Sequence, residues 1–147
     1  NKIFEGMVFE NSTGGKSGVH VLKQDFPIRK FSADKEDEKN QDLFPYCLIR
    51  VEDGTFASLQ TVDITLTLGI YEKNEENNGE LRILNLIERI CQHFLNDRVI
   101  GGKFRLDYEA PIRWGLPKGE ENTYPYFYGF MEMTWNSFFE AKEDRYA

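Results

Sequence analysis

The sequence predicts an α+β fold: an antiparallel or mixed β-sheet of about five strands, with a main α-helix over about residues 80–97 packed across one face. Three observations carry this. Thr61–Tyr71 alternates strictly, with Val62, Ile64, Leu66, Leu68 and Ile70 on one side and Thr61, Asp63, Thr65, Thr67, Gly69 and Tyr71 on the other, the period of a strand with one apolar face. Glu80–Leu95 carries Ile83, Leu84, Ile87, Ile90, Cys91, Phe94 and Leu95 as one stripe at about 100° per residue, the mark of an amphipathic helix. Strand and helix each have one apolar face, and pressing the two together satisfies both. The third is the 12 Phe and 7 Tyr, which favour sheets.

Taken in order, Ile3, Phe4, Met7, Val8 and Phe9 fit a short helix or a short strand, and Asn11–Gly18 reads as a loop. Gly15-Lys16-Ser17 matches the end of a phosphate-binding loop, but Glu10 stands where its first glycine belongs, so the pattern is incomplete. Val19–Asp25 reads as a strand ended by Pro27. Ser32–Asp42 is a charged, solvated loop. Leu43–Glu52 is a second strand, apolar on both sides and therefore expected to be central. Glu52-Asp53-Gly54 signals a turn, so this strand and Thr61–Tyr71 are expected to pair antiparallel.

The polar stretch Glu72–Gly79 turns the chain in water, and the helix begins at Asn77, Asn78 or Gly79. It ends near Asn96–Arg98, where Gly101-Gly102 allows a reversal. Lys103–Glu109 alternates as a strand, Pro111 interrupts it and Ile112–Trp114 continues it after a kink. Gly115–Thr123 is a loop, and Tyr124–Asn136 is a long final strand. In that strand Phe127, Met131, Met133 and Trp135 share one face, while Tyr126, Tyr128, Phe130, Glu132 and Thr134 share the other. Gly129 marks a bulge or a close approach. Ser137–Ala147 is a mostly charged tail. The 147 residues are read as a single domain, 1–147, with 1–18 and 138–147 as flexible ends. The first residue is Asn rather than Met, as in a processed or truncated chain that lacks an N-terminal element.

Composition narrows function. The net charge is −7 and the pI near 4.9, a poor basis for passive nucleic-acid binding, which draws on Lys and Arg. Cys47 and Cys91 read as free, buried thiols of a reducing compartment; a disulfide between strand and helix is the alternative. His20 and His93 have no metal-ligand spacing around them, and Cys91 and His93 diverge on their helix. The chain contains no G-x-S-x-G, dinucleotide fingerprint or EF-hand pattern. The acidic pairs Glu75-Glu76 and Glu120-Glu121 fall in loops. No catalytic, cofactor-binding or metal residues are therefore assigned, and the expectation is a protein that is not an enzyme and needs no cofactor. No apolar run approaches the ~20 residues that span a bilayer, and no signal peptide is visible. The aromatic run Tyr124–Phe130 has the makings of a stacking platform for single-stranded nucleic acid, but it lacks interleaved Lys or Arg. Core or subunit interface explains it better.

Several segments together carry a likeness: Asp42-Leu-Phe-Pro-Tyr46, Ile49-Arg-Val-Glu-Asp-Gly54, Leu68-Gly-Ile-Tyr71, Leu84-Asn-Leu-Ile-Glu-Arg-Ile90, Gly101-Gly-Lys-Phe-Arg-Leu106, Tyr124-Pro-Tyr126 and Thr134-Trp135. In order and spacing, over residues 42–136, the chain resembles small tail-associated proteins of long-tailed bacteriophages of Gram-positive hosts, the tail terminator or head–tail joining family. Asn136–Phe139 departs from that family's short polar or Pro-containing end. The resemblance implies a sheet with helices packed against it and a virion protein assembled in the host cytoplasm. It further implies a homo-oligomeric ring, a hexamer, that caps the tail tube. Its partners would be the tube protein and the head-connector protein, with duplex DNA passing through the lumen unbound. Ser32–Asp42, Glu72–Gly79 and Gly115–Thr123 are the expected lumen or docking loops, each with plain solvent exposure as the simpler explanation. The alternatives are another neck or tail-completion component, or a small soluble ligand-binding or regulatory α+β domain.

Overall fold

A long antiparallel β-ribbon with a third long strand along its flank forms the centre of the molecule. The computed structural model describes residues 3–10, 15–24, 43–74, 76, 78–107, 109–118 and 123–137. Among them the strands are β1 (Phe9–Glu10), β2 (Lys16–Ser17), β3 (His20–Lys23), β4 (Tyr46–Thr55), β5 (Thr61–Tyr71), β6 (Val99–Ile100), β7 (Phe104–Leu106), β8 (Arg113–Gly115) and β9 (Tyr126–Ser137), with helix α1 (Gly79–Asn96) between β5 and β6. β1 and β2 pair as a small separate hairpin, and the other seven strands form one sheet in the order β3-β4-β5-β9-β7-β6, with β8 also on β9.

This corrects the five-strand expectation. Strand accounts for 46% of the described residues, and the sheet is a curled, mixed half-barrel, so the chain is mostly β rather than a modest sheet under a dominant helix. The strands beyond the expected five, β1, β2, β6 and a separate β8, are two or three residues long. Such pieces have too few residues to show an alternation, and pairing alone creates them. β3 runs parallel to β4, while every other pairing in the sheet is antiparallel.

The long strands follow their period. β5 pairs with β4 on one side, through Leu68↔Cys47 and Leu66↔Ile49, and with β9 on the other, through Leu66↔Met131, Ile64↔Met133 and Val62↔Trp135. Residues directly opposite point to the same side, so one apolar face runs across three strands. Helix α1 lies on that face. Ile83, Leu86, Ile87 and Ile90 are buried with Leu66, Leu68, Ile70, Met131, Met133 and Trp135 in one cluster. Gly129 is the point of close approach: a Cβ there would stand 2.6 Å from Ile83 Cγ2. Gly79 lies directly beneath the Phe127 ring.

The helical stripe is rotated from the sequence reading. Leu86 is fully buried, while Leu84 is half-buried and Leu95 exposed. The reason is the segment 3–10, which the sequence reading counted with the flexible N-terminal end. Phe4 and Phe9 join the core, Arg82 sits 4.3 Å over the Phe9 ring, and Arg89 Nη2 donates to Glu5 O at 2.8 Å. Arg82, Leu86 and Arg89 share one flank of the helix, and this strap covers the flank.

β7 and β8 occupy one edge of β9 in series, since Leu106 pairs with Trp135 and Arg113 with Glu132. Seven residues of advance on this side stand against three on β9, so four residues loop out around Pro111. The kink expected at Pro111 is thus a wide bulge. The charged loop Ser32–Asp42, the expected strand end at Asp25 and the tail beyond Ser137 lie outside the described residues.

Candidate functional site

Among the described residues no helix packs on the face of the sheet opposite α1, and the two ends of that face differ in chemistry. At the end where β5 finishes and β9 begins, Phe44, Tyr46, Tyr71, Tyr126 and Tyr128 cluster with ring centroids 4.8–6.0 Å apart, Phe44 tilted against Tyr126 and the other pairs edge to face, the latter a geometry favoured by aromatic quadrupoles. Gly69 forms their floor, because a Cβ there would run into the Tyr46 and Phe44 rings. Burial, and then the neighbouring Tyr128, pushes the Tyr46 hydroxyl up to about 12. The aromatic run of β9 is therefore divided. Phe127 packs toward the helix, Tyr126 and Tyr128 belong to this cluster, and Tyr124 and Phe130 stay exposed.

At the other end the open face is acidic. Glu52, Asp63, Ile64, Thr65, Glu132, Met133 and Thr134 line a trough of about 410 Å³, walled on one side by Ala110, Pro111 and Arg113 of the bulge. The sheet register assembles it: Asp53 stands opposite Asp63, Asp63 opposite Thr134, Thr65 opposite Glu132, and Glu132 opposite Arg113. A β-bulge between Val51 and Asp53 turns Asp53 onto the same side as Asp63.

Hydroxyls fix two of the carboxylates. Thr65 Oγ1 donates to Glu52 Oε1 at 2.9 Å, and Thr134 Oγ1 donates to Asp63 Oδ1 at 2.7 Å. Arg50 Nε lies 3.8 Å from Glu52 Oε1, with both side chains exposed. The Thr134 hydroxyl, and then Asp53, hold the Asp63 carboxyl below its usual range. Asp53 is raised, first by sharing a hydrogen bond with Asp63 and then by that charge. Two carboxylates in contact favour one proton between them. The trough thus concentrates negative potential on a solvated sheet face.

The residues the sequence reading weighed for chemistry are not brought together. Cys47 and Cys91 are free. Cys47 is buried in the core, and burial lifts its thiol to about 12. The exposed His20 stands opposite Tyr46, not Cys47, and His93 lies edge-on to Phe94 at 5.3 Å. Among the described residues no group of three or more His, Cys, Asp or Glu is placed to hold a metal ion, and no helix is long and apolar enough to cross a membrane. Of the expected docking loops, Glu72–Gly79 is not simply solvated: Glu72 is buried beneath Arg82 and Gly79 beneath Phe127.

The sequence reading did not single out the acidic trough. Its signal was present in the polar sides of β5 and β9, where Asp63, Thr65, Glu132 and Thr134 alternate with the apolar residues. Only the register shows that those polar sides abut. No protein-family model matches this chain, and no curated protein sequence matches it.

Proposed function

We propose that this chain is a non-enzymatic structural subunit of the virion of a long-tailed bacteriophage of a Gram-positive host. Its role would be that of a tail terminator or head–tail joining subunit, which forms a ring at the end of the tail tube. The observation that best supports this reading is the acidic half of the sheet, with Glu52, Asp53, Asp63 and Glu132 exposed on one face. Turned toward a ring lumen, such a face repels phosphate and gives passing duplex DNA nothing to grip, because sequence-independent DNA affinity comes from cations. The mechanism is geometric. Copies close head to tail into a ring, a hexamer on the resemblance, which meets the tube protein on one side and the head connector on the other.

The test is the solution mass by light scattering over a range of concentrations and salt, with electron microscopy of any oligomer. A closed ring with a hole wide enough for duplex DNA, and no retention of duplex DNA at low salt, is the expected outcome. A strict monomer would move support to the second reading, a small ligand-binding domain. The trough's volume favours that reading, since it falls within the roughly 300–1,000 Å³ of small-molecule sites.

A further inference from the structure

Beside the trough, an exposed aromatic ring adjoins two exposed side chains of opposite charge that are not paired with each other. Arg113 of β8 and Glu132 of β9 stand directly opposite in the register, which sets their Cβ atoms about 5 Å apart on one face. Both are exposed, and among the described residues neither takes part in an ion pair or a side-chain hydrogen bond. Phe130 precedes Glu132 by two residues on β9 and so shares its side. It is 42% exposed. Its ring lies against Gly115 of β8, where a Cβ would stand 2.7 Å from Cζ.

The other carboxylates of the trough are already engaged. Glu52 accepts the Thr65 hydroxyl and has Arg50 beside it, and Asp63 accepts the Thr134 hydroxyl and has Asp53 beside it. What remains open is a guanidinium that only donates and a carboxylate that only accepts, next to an apolar ring and the apolar wall of Ala110 and Pro111. A small anion would face the carboxylates, and a hydrocarbon would leave both charges unused. A sugar uses all three groups. Neighbouring hydroxyls donate to Glu132 and accept from Arg113 in charge-assisted bonds. The C–H face of the pyranose lies on the Phe130 ring, whose face carries the negative part of its quadrupole. From Phe130 to Thr134 is about 13 Å of strand at roughly 3.3 Å per residue, and the trough's 410 Å³ is within the range of small-molecule sites.

We propose that this trough binds a neutral saccharide, with Phe130 as the stacking surface and Arg113 and Glu132 as the pair that holds adjacent hydroxyls. The proposal rests on the ligand-binding reading of the trough, names the ligand class for it, and is independent of ring formation.

The test applies saturation-transfer NMR and titration calorimetry to the full chain. The probes are the methyl glycosides of glucose, galactose, mannose and N-acetylglucosamine, the hexamers of β-linked glucose and of β-linked N-acetylglucosamine, and spermidine as a cation. At least one sugar should bind at millimolar concentration, with saturation strongest on its ring C–H protons. Phe130→Ala and Glu132→Gln should each weaken it by about tenfold or more, and Arg113→Gln replaces either variant that melts early. Binding of the methyl glycosides supports the proposal with a free sugar as ligand, and binding of the hexamers alone supports it with a glycan chain. Sugar binding that these substitutions leave unchanged, in variants that melt with the wild type, overturns it. Spermidine bound and no sugar bound overturns it while the trough stays a ligand site. If no probe binds, the proposal and the ligand-binding reading both fall, and the ring reading is untouched.

Discussion

Glu72 and Arg82 form a buried ion pair that ties the end of β5 to the first turns of α1. The Glu72 side chain is 2% exposed and bonded through Oε2 to Arg82 Nη1, while Arg82 is 27% exposed. Asn74 N donates to the other carboxylate oxygen at 3.0 Å, and the Phe9 ring lies under the guanidinium. One pair thus joins sheet, turn, helix and N-terminal strap.

Glu72→Gln would leave the guanidinium without its carboxylate in a largely desolvated place. One-sided removal of a buried pair costs about 3–5 kcal/mol, and the remaining exposure of Arg82 puts this case near 3. Urea unfolding would show a lower midpoint at an unchanged slope. Replacing both residues with apolar side chains of similar size should cost less than Glu72→Gln alone, and an equal or larger loss would show that the pair is not the source.

Gly129→Ala tests the approach of α1 to the sheet. The added methyl would meet Ile83 Cγ2 at 2.6 Å and Ile87 Cδ1 at 3.3 Å, side chains already packed in the core. Overpacking of this kind costs about 1–3 kcal/mol. In an Ile83→Ala background the same substitution should cost much less, read as a coupling energy in a double-mutant cycle of thermal melts. Simple additivity would mean that the helix shifts as a whole.

Asp53 and Asp63 predict opposite contributions to the pH dependence of stability. The native carboxyl of Asp63 is lowered, so its contribution is present above the unfolded value of 3.8 and is lost as pH falls through the lower native value. The native carboxyl of Asp53 is raised, so the folded state holds its proton more tightly. Its contribution is complete below 3.8 and is lost as pH rises through the raised value. Asp53→Asn should therefore raise the melting temperature at neutral pH, and that gain should disappear below 3.8. Thr134→Val, which removes the hydroxyl from Asp63, should lower it at neutral pH. A gain from Asp53→Asn that persists unchanged in acid would contradict this arrangement.

The two thiols should react differently. Cys47 is 2% exposed and its thiol lies near 12, whereas Cys91 is half-buried, raised by burial and then by Glu88. Thiolate is the reactive form. With a thiol reagent at pH 8, native protein should modify slowly at Cys91 and not at Cys47, and both should react at once in denaturant. Fast labelling of Cys47 in the native state would show β4 opening locally.

The sequence by itself determined the three long strands, the helix and the inward sides of β5 and β9, because alternation and helical period are written in consecutive residues. β5 and β9 turn inward the side chains that their period assigns, from Ile64 to Ile70 and from Phe127 to Trp135. The antiparallel pairing of β4 and β5 was expected too, but Glu52-Asp53-Gly54, read as the turn, lies inside β4 with Asp53 and Gly54 paired to Asp63 and Val62, and the chain reverses only between Thr55 and Thr61.

Tertiary structure alone decided the rest. The two-residue pieces β2 and β6 exist through pairing rather than propensity. Leu86 is buried in one cluster with Phe4 and Phe9, which come from some eighty residues away, so its side of the helix could not be read from the helix. Glu72 looked like part of a solvated turn until Arg82 supplied the charge that permits its burial. The acidic trough is the plainest case: Glu52, Asp63, Glu132 and Thr134 come from three strands, and only a register that sets Asp63 beside Thr134 makes them one surface. Local period records which way a side chain points, while the neighbour it meets depends on contacts between distant parts of the chain.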